Sequence, residues 1–299
     1  MNAIDIEKII AESEEELSAQ FKALEKIAYS NQCRVMEAFQ KSKIALRHFA
    51  ASSGYGYGDE GRDTLNALFA DIFGVEAALV SPNILSGTHA LTVGLFGLLR
   101  TGDTLFSVSG NPYDTLQEVI GGKDIGSLAD FGISFKKCEL KNGDFDTDAI
   151  REGLSDRSVK VVFIQRSRGY EWRDALSEEK IRKICSFVRS CGFTGCIFVD
   201  NCYGEFVETS EPTQNGADIC VGSLIKNPGG GIAPTGGYIV GKREYVDKIA
   251  GRLTAPSIGA EVGSYAYGYQ YFYEGVFLAP HVVCQALKGG LLIGACLEK

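Results

Sequence analysis

The amino-acid sequence predicts an α/β fold, a mainly parallel sheet of seven strands with helices on both faces. Three observations predict it. Short segments such as "VKVVFIQRS" (159–167) and "CIFVDN" (196–201) are apolar in continuous runs rather than at alternate positions, the pattern of strands covered on both sides. Stretches with helical spacing separate these segments, and parallel strands need such crossovers. The chain has 299 residues, 45% hydrophobic and 23% charged, enough for one large domain or two modest ones.

The elements follow in order. Residues 4–28 place Ile4, Ile9, Ile10, Leu17, Phe21, Leu24 and Ile27 at helical spacing, and a second helix covers 31–48. "ASSGYGYGDEGRD" (51–63) is a glycine-rich loop, and the helix "TLNALFADIFG" (64–74) ends on Gly74 as a C-cap. Strands are predicted at 77–82, 103–108, 133–140, 159–167, 196–201, 217–224 and 236–241, with helices at 86–99, 113–121, 146–154 and 177–192. The aromatic, nearly uncharged stretch from 254 onward fits a dimer interface or a contact with a further segment.

Composition excludes several function classes. Net charge is −8 with no long basic run, which argues against nucleic acid. No continuous apolar run reaches the roughly 18 residues of a membrane helix. The N-terminus is acidic and amphipathic, unlike a signal peptide, so a cytoplasmic location is expected. Nine cysteines, an odd number with no CxxC pair, read as reduced thiols, and with only three histidines no metal site is expected.

Ligands of such sheets bind at the carboxyl ends of strands, so the loops after strands carry the chemistry. "SPNILSGTHA" puts Ser86, Gly87 and Thr88 where a helix begins, an anion cradle suited to a phosphate; the same residues also make plain N-caps. Asp200 ends a buried strand and needs a cationic partner there, whether a ligand or a structural ion pair. Lys226 stands alone in "GSLIKNPGGG" at the end of another strand. Desolvation there lowers an amine's pKa and frees it as a nucleophile, unless the side chain snorkels to water. Phosphate cradle, carboxylate and lysine are the three groups that pyridoxal 5′-phosphate (PLP) requires. Gln165 and Arg168, at a further strand end, are candidates for a substrate carboxylate or the cofactor's hydroxyl.

Taken together, "SSGYGYGDEGRDTL", "NILSGTHA", "SGNPYDTL", "VDNCYGEF" and "GSLIKNPGGGIAPTGGY" resemble fold-type I PLP-dependent enzymes of the Cys/Met metabolism group. More closely, the chain resembles the methionine γ-lyase-like or aluminium-resistance family, of cystathionine β-lyase type, from about residue 20 to its end. The resemblance implies a PLP-dependent transferase-like large domain over 51–275, a helical segment over 1–50, and the start of a linker helix over 276–299. The smaller C-terminal domain of the family, with its arginine for the substrate carboxylate, would be largely missing. It also implies roles: Lys226 joins the cofactor's aldehyde and moves the substrate's α-proton, Asp200 pairs with the pyridine nitrogen, and Ser86, Gly87, Thr88 and Ser223 hold the phosphate. Tyr113 stacks on the ring as a second catalytic residue, with His89 its rival. Tyr57, or Tyr55, and Arg62 reach a neighbouring subunit's phosphate, which makes a homodimer or homotetramer with shared sites. The implied activity is carbon–sulfur lysis of a sulfur-containing amino acid by β- or γ-elimination. Aminotransfer, aldol cleavage and a non-catalytic PLP-binding oligomer are the alternatives, because fold and cofactor do not decide the reaction.

Overall fold

The computed structural model describes residues 6–299. Two helices open it, α1 (Ile6–Glu16) and α2 (Ser18–Lys41). The expected break near residue 30 is absent and the chain bends at Leu17 instead. Asn31 explains the difference. It is wholly buried, and its side-chain amide donates to the carbonyls of Phe206 (2.9 Å) and Glu208 (3.0 Å). A residue that weakens an isolated helix is here tied through its amide nitrogen to a distant loop. The second helix also ends earlier than expected, before a 3₁₀ turn at Leu46–Phe49. The predicted start at Ile4 lies outside the described residues.

Next come α3 (Glu60–Phe73), β1 (Ala77–Ser81), α4 (Gly87–Leu98), β2 (Thr104–Ser107), α5 (Asp114–Gly121) and β3 (Ser134–Lys137). A short hairpin, β4 (Leu140–Lys141) and β5 (Asp144–Phe145), leads to α6 (Thr147–Leu154), β6 (Val159–Gln165), α7 (Glu178–Ser190) and β7 (Cys196–Asp200). The chain closes with β8 (Ile219–Ser223), β9 (Gly237–Gly241), α8 (Arg243–Leu253) and α9 (Gln270–Leu297). Asp59 caps α3 by accepting the Arg62 amide, and Gly74 ends it in the left-handed region at φ 63°.

Seven strands form one sheet in the order β1-β9-β8-β7-β6-β2-β3. Neighbours run parallel except that β9 opposes both β1 and β8. Alternation along each strand sorts side chains to two covered faces. Along β8, Ile219 and Val221 join α4, α5 and α8 on one face, while Cys220 meets α2, α3 and α9 on the other. Along β7, Phe198 faces the first layer, and Ile197 and Val199 face α6 and α7. Helix α4 lies very close to the sheet because Gly94 carries no side chain: a Cβ there would sit 2.8 Å from the Phe198 ring.

The aromatic stretch after residue 254 is partly core. Tyr269, Phe272, Tyr273 and Val276 are buried against α2 and α3. Among the described residues α9 is long and apolar enough, by length and composition, to cross a membrane. The search for a continuous apolar run missed it because Glu274, His281 and Lys288 interrupt the sequence of the helix.

Candidate active site

Parallel pairing aligns three strand ends. Gln165 on β6 sits opposite Asp200 on β7, and Asp200 sits opposite Val221 on β8, two residues before Ser223. The N-terminus of α4 faces these ends from across the sheet edge. A Cβ added to Gly87 would lie 3.2 Å from Cys202 Sγ, 3.5 Å from Ser223 Cβ and 3.9 Å from Lys226 Nζ. Helix start, serine, cysteine and lysine therefore converge on one small space that only glycine leaves open.

Asp200 is 1% exposed, and one carboxylate oxygen accepts the Cys202 amide at 3.0 Å. Burial raises its pKa, against the pull of the Cys202 contacts and the Lys226 charge. A carboxylate so buried is stable as an anion only beside a cation. The Lys226 amine is half-buried. Burial, the largest influence, pulls its pKa down, but the acidic neighbours Cys202, Tyr203 and Asp200 together outweigh it and hold the amine above its ordinary value. The lowered pKa expected from desolvation is thus corrected: near the end of β7 the lysine meets acidic groups that favour its protonated form.

Tyr113 precedes α5 as its N-cap residue. Its backbone amide donates to Gln165 Oε1 at 2.8 Å, and its hydroxyl shares a hydrogen bond with Thr88 Oγ1 at 2.9 Å. Burial, with the charges of Asp200 and Cys202, pushes the phenol up to about 12 even though the Thr88 bond works against it. Ser223 is wholly buried and its hydroxyl makes only contacts of 3.4 Å, to the Gly236 carbonyl and the Ile225 amide. It retains the capacity to donate to a ligand.

The structure gathers Lys226, Asp200, Ser223, Gly87, Thr88 and Tyr113. Four other predicted residues are placed differently. Ser86 caps α4, its hydroxyl accepting the His89 amide at 3.1 Å. His89 accepts the Leu85 amide through Nδ1 at 3.1 Å and, with Arg62, lines a separate cavity of about 210 Å³. Arg62 is buried and donates to the carbonyls of Gly56, Gly263 and Glu261. Tyr57 is exposed, 6.0 Å from the equally exposed Tyr55.

Two residues of the site escaped the sequence reading. The Cys202 thiol lies beside Asp200 and Lys226, and burial pushes its pKa well above the usual thiol range. The Tyr203 ring lies 4.1 Å from Lys226 Nζ, a cation–π distance, and its backbone is left-handed at φ 69°. That conformation costs a non-glycine residue about 1 kcal/mol or more and clusters at functional sites. Their position just after Asp200, in a strand-end loop, was the available signal.

The residues fit an anionic cofactor such as PLP on the structure's own terms: a helix start with first-turn amides outside the helical ladder, a loosely bonded serine, a buried carboxylate lacking a full counter-charge, and an amine beside them. The chain was compared with known proteins. It is 47% identical over 298 residues to the uncharacterized protein YnbB of Bacillus subtilis, covering 98% of this chain and 70% of that one. Among solved structures, a carbon-sulfur lyase involved in aluminum resistance from Clostridium novyi NT is 46% identical with a TM-score of 0.94, covering 98% of this chain and 71% of that one. The pyridoxal-5′-phosphate-dependent protein YhfS of Escherichia coli shares the fold at 18% identity and a TM-score of 0.66, covering 88% of this chain and 66% of that one. The family model described as methionine gamma-lyase matches residues 6–299, and with these relatives it establishes that the chain belongs to the methionine gamma-lyase family.

Proposed function

We propose that the protein is a PLP-dependent carbon–sulfur lyase acting on a sulfur-containing amino acid. The observation that carries this reading is the convergence of Gly87, Ser223, Asp200 and Lys226, with Lys226 Nζ 3.9 Å from the position a Gly87 Cβ would occupy. When bound, PLP supplies an electron sink for a carbanion at the substrate's Cα.

The chain's own groups do the rest. The α4 amides at Gly87 and Thr88, with the Ser223 hydroxyl, hold a phosphate. Asp200 would favour a protonated ring nitrogen on the group, because its buried carboxylate would gain a charge partner there. The unprotonated fraction of the Lys226 amine, kept small by its acidic neighbours, would take the proton from Cα. As the carbon–sulfur bond breaks, its electron pair leaves on sulfur, and the sulfur takes a proton to depart as a thiol. Water then releases the remaining carbon skeleton as a keto acid with ammonia. Tyr113, at the start of α5, would lie against a bound ring, and its phenol, pushed up to about 12, stays protonated and able to donate.

The family's oligomeric habit supports a further proposal, that the exposed Tyr57 completes a neighbouring subunit's site, with the buried Arg62 holding the loop through the Gly56 carbonyl. The exposed Tyr55–Tyr57 pair favours it. The test of the whole reading is direct. The purified protein, incubated with PLP, should take up the cofactor and release thiol and keto acid in equal amounts from L-cystathionine, L-methionine or an S-alkyl-L-cysteine. A preparation that takes up no PLP, or that yields an amino-group transfer product without thiol, sinks the proposal.

A further inference from the structure

Lys226 is not held in place by its own strand alone. Strand β8 ends at Ser223, and the lysine stands beyond it, just ahead of a 3₁₀ turn at Asn227–Gly229. An asparagine in such a place often bonds the backbone of its own turn. Asn227 instead reaches outward: its Nδ2 donates at 3.0 Å to the carbonyl of Glu205, 22 positions earlier in the chain. That carbonyl belongs to the loop that carries Cys202 and Tyr203. Helix α9 closes the other side of the turn. The Gly275 carbonyl stands where Gly230 would carry a Cβ, and the Gly229 carbonyl stands where Gly275 would.

The loop that receives this bond is strained. Tyr203 and Phe206 are both left-handed, at φ 69° and 62°, a conformation that non-glycine residues keep only where the surroundings over-determine it. Here three successive carbonyls are each held by a side chain from a different part of the fold. The Gly204 carbonyl accepts from Arg166 at 2.9 Å, that of Glu205 from Asn227 at 3.0 Å, and that of Phe206 from Asn31 at 2.9 Å. Arg166 follows β6 and Asn31 lies on α2. Of the three donors, only Asn227 adjoins the lysine. Its bond therefore joins the loop whose Tyr203 ring lies 4.1 Å from Lys226 Nζ to the turn that bears that amine.

We propose that Asn227 is a positioning residue for the reaction, which holds the Lys226 amine against the Tyr203 ring and beside Asp200. A lysine amine rides on a flexible four-carbon stem, and a base works only within a narrow geometry. The backbone tie at Asn227 and the aromatic face of Tyr203 together restrict that stem at both its ends. Cys202, Tyr203 and Asp200, the groups that keep the amine protonated, all lie in the segment that Asn227 grips or at its start. The inference takes the role of Lys226 from the lyase reading and adds what sets the lysine in place.

The test reads the amine itself. In the full chain without cofactor, competitive labelling with acetic anhydride across a pH series, followed by mass spectrometry of the peptide that carries Lys226, gives the pKa of that amine. Asn227→Ala should lower it by about one pH unit, because the turn parts from the acidic neighbours that hold it up. Tyr203→Leu should shift it in the same direction. The double variant should shift it little further than the larger single change, since both act through one contact. Asn31→Ala is the control: it cuts a tie to the same loop away from the lysine, and should lower the unfolding temperature with little change at the amine. On PLP-loaded protein, Asn227→Ala should lower kcat for thiol release about tenfold and change KM far less. Asn227→Ser, too short to reach the Glu205 carbonyl, replaces Asn227→Ala if that variant does not fold. An unmoved amine in a folded Asn227 variant overturns the inference, as do additive shifts in the double variant or an equal shift in Asn31→Ala. Failure of the lyase reading shows separately, as wild-type protein that takes up no PLP or releases no thiol, and leaves the amine measurement intact.

Discussion

Two polar clusters lie close together around the end of β7, and they are built in opposite ways. Behind the strand, Arg166 is bound by Asn201 Oδ1 (2.8 Å), the Gly204 carbonyl (2.9 Å), Glu208 (2.8 Å) and Glu178 (2.7 Å). Asn201 passes the network on to Glu211 at 3.0 Å, which also takes the Phe206 amide. In front, Asp200, Ser223 and Lys226 have few and long contacts, and Gly87 leaves a gap where a side chain would be. A buried network with nearly every donor paired rigidifies the loop at 201–208. A buried cluster with capacity to spare is a binding site. The saturated cluster holds the unsaturated one in place, since residues 200–203 belong to the first turn of the loop that Arg166 anchors.

Substitutions on the two sides should separate stability from function. The largest effect is expected at the front: Lys226→Ala should lower thiol release about 10⁴-fold, the full loss of a positioned base, with little change in unfolding temperature. Next, Arg166→Met should destabilise the protein by about 3–5 kcal/mol, because Glu178 and its neighbours are left buried without a counter-charge; chemical denaturation measures it. A smaller effect is expected for Asp200→Asn, a loss of about a hundredfold in kcat from a weaker charge partner. Its stability should be unchanged or raised, since a buried carboxylate is removed. If Asp200→Asn instead unfolds the protein, the division between the clusters fails.

A pH experiment sharpens the same contrast. Burial, the main cause, lifts Glu205 from an ordinary value of 4.5 to about 8, although Tyr238 donates to it at 2.6 Å. A carboxyl raised on folding prefers its protonated form in the native state. Its stabilising contribution is complete below about 4.5 and is lost as pH climbs to about 8. Thermal midpoints of the wild type should therefore fall across that window more steeply than those of Glu205→Gln, which keeps the Tyr238 partner without titrating. The smallest effect is expected for Tyr113→Phe, which removes the bond to Thr88 and should cost about 1 kcal/mol, or roughly fivefold in kcat.

Much of this was legible in the chain. Continuous apolar runs ending in a single charge located β7 with Asp200 and the β8 turn with Lys226, because a buried strand tolerates a charge only at its end. Gly87 followed from its place at a helix start, and Ser223 from the resemblance to a known family. The Arg166 network was not legible: nothing in the local sequence links Glu178, Glu205, Glu208 and Glu211, which the fold brings around one guanidinium. The same holds for Asn31, whose helix-weakening side chain is satisfied by carbonyls some 175 positions away in sequence.

By itself the sequence determined the layer architecture, the strands and the placing of Asp200 and Lys226 at strand ends, since periodicity and strand-end charges are local properties of the chain. Only the tertiary structure decided that β9 runs against its neighbours, that Arg62 and His89 line a cavity without Lys226, and that Cys202 and Tyr203 contact the lysine. Those outcomes depend on contacts between residues far apart in sequence, and no local pattern encodes which of two nearby cavities a side chain enters.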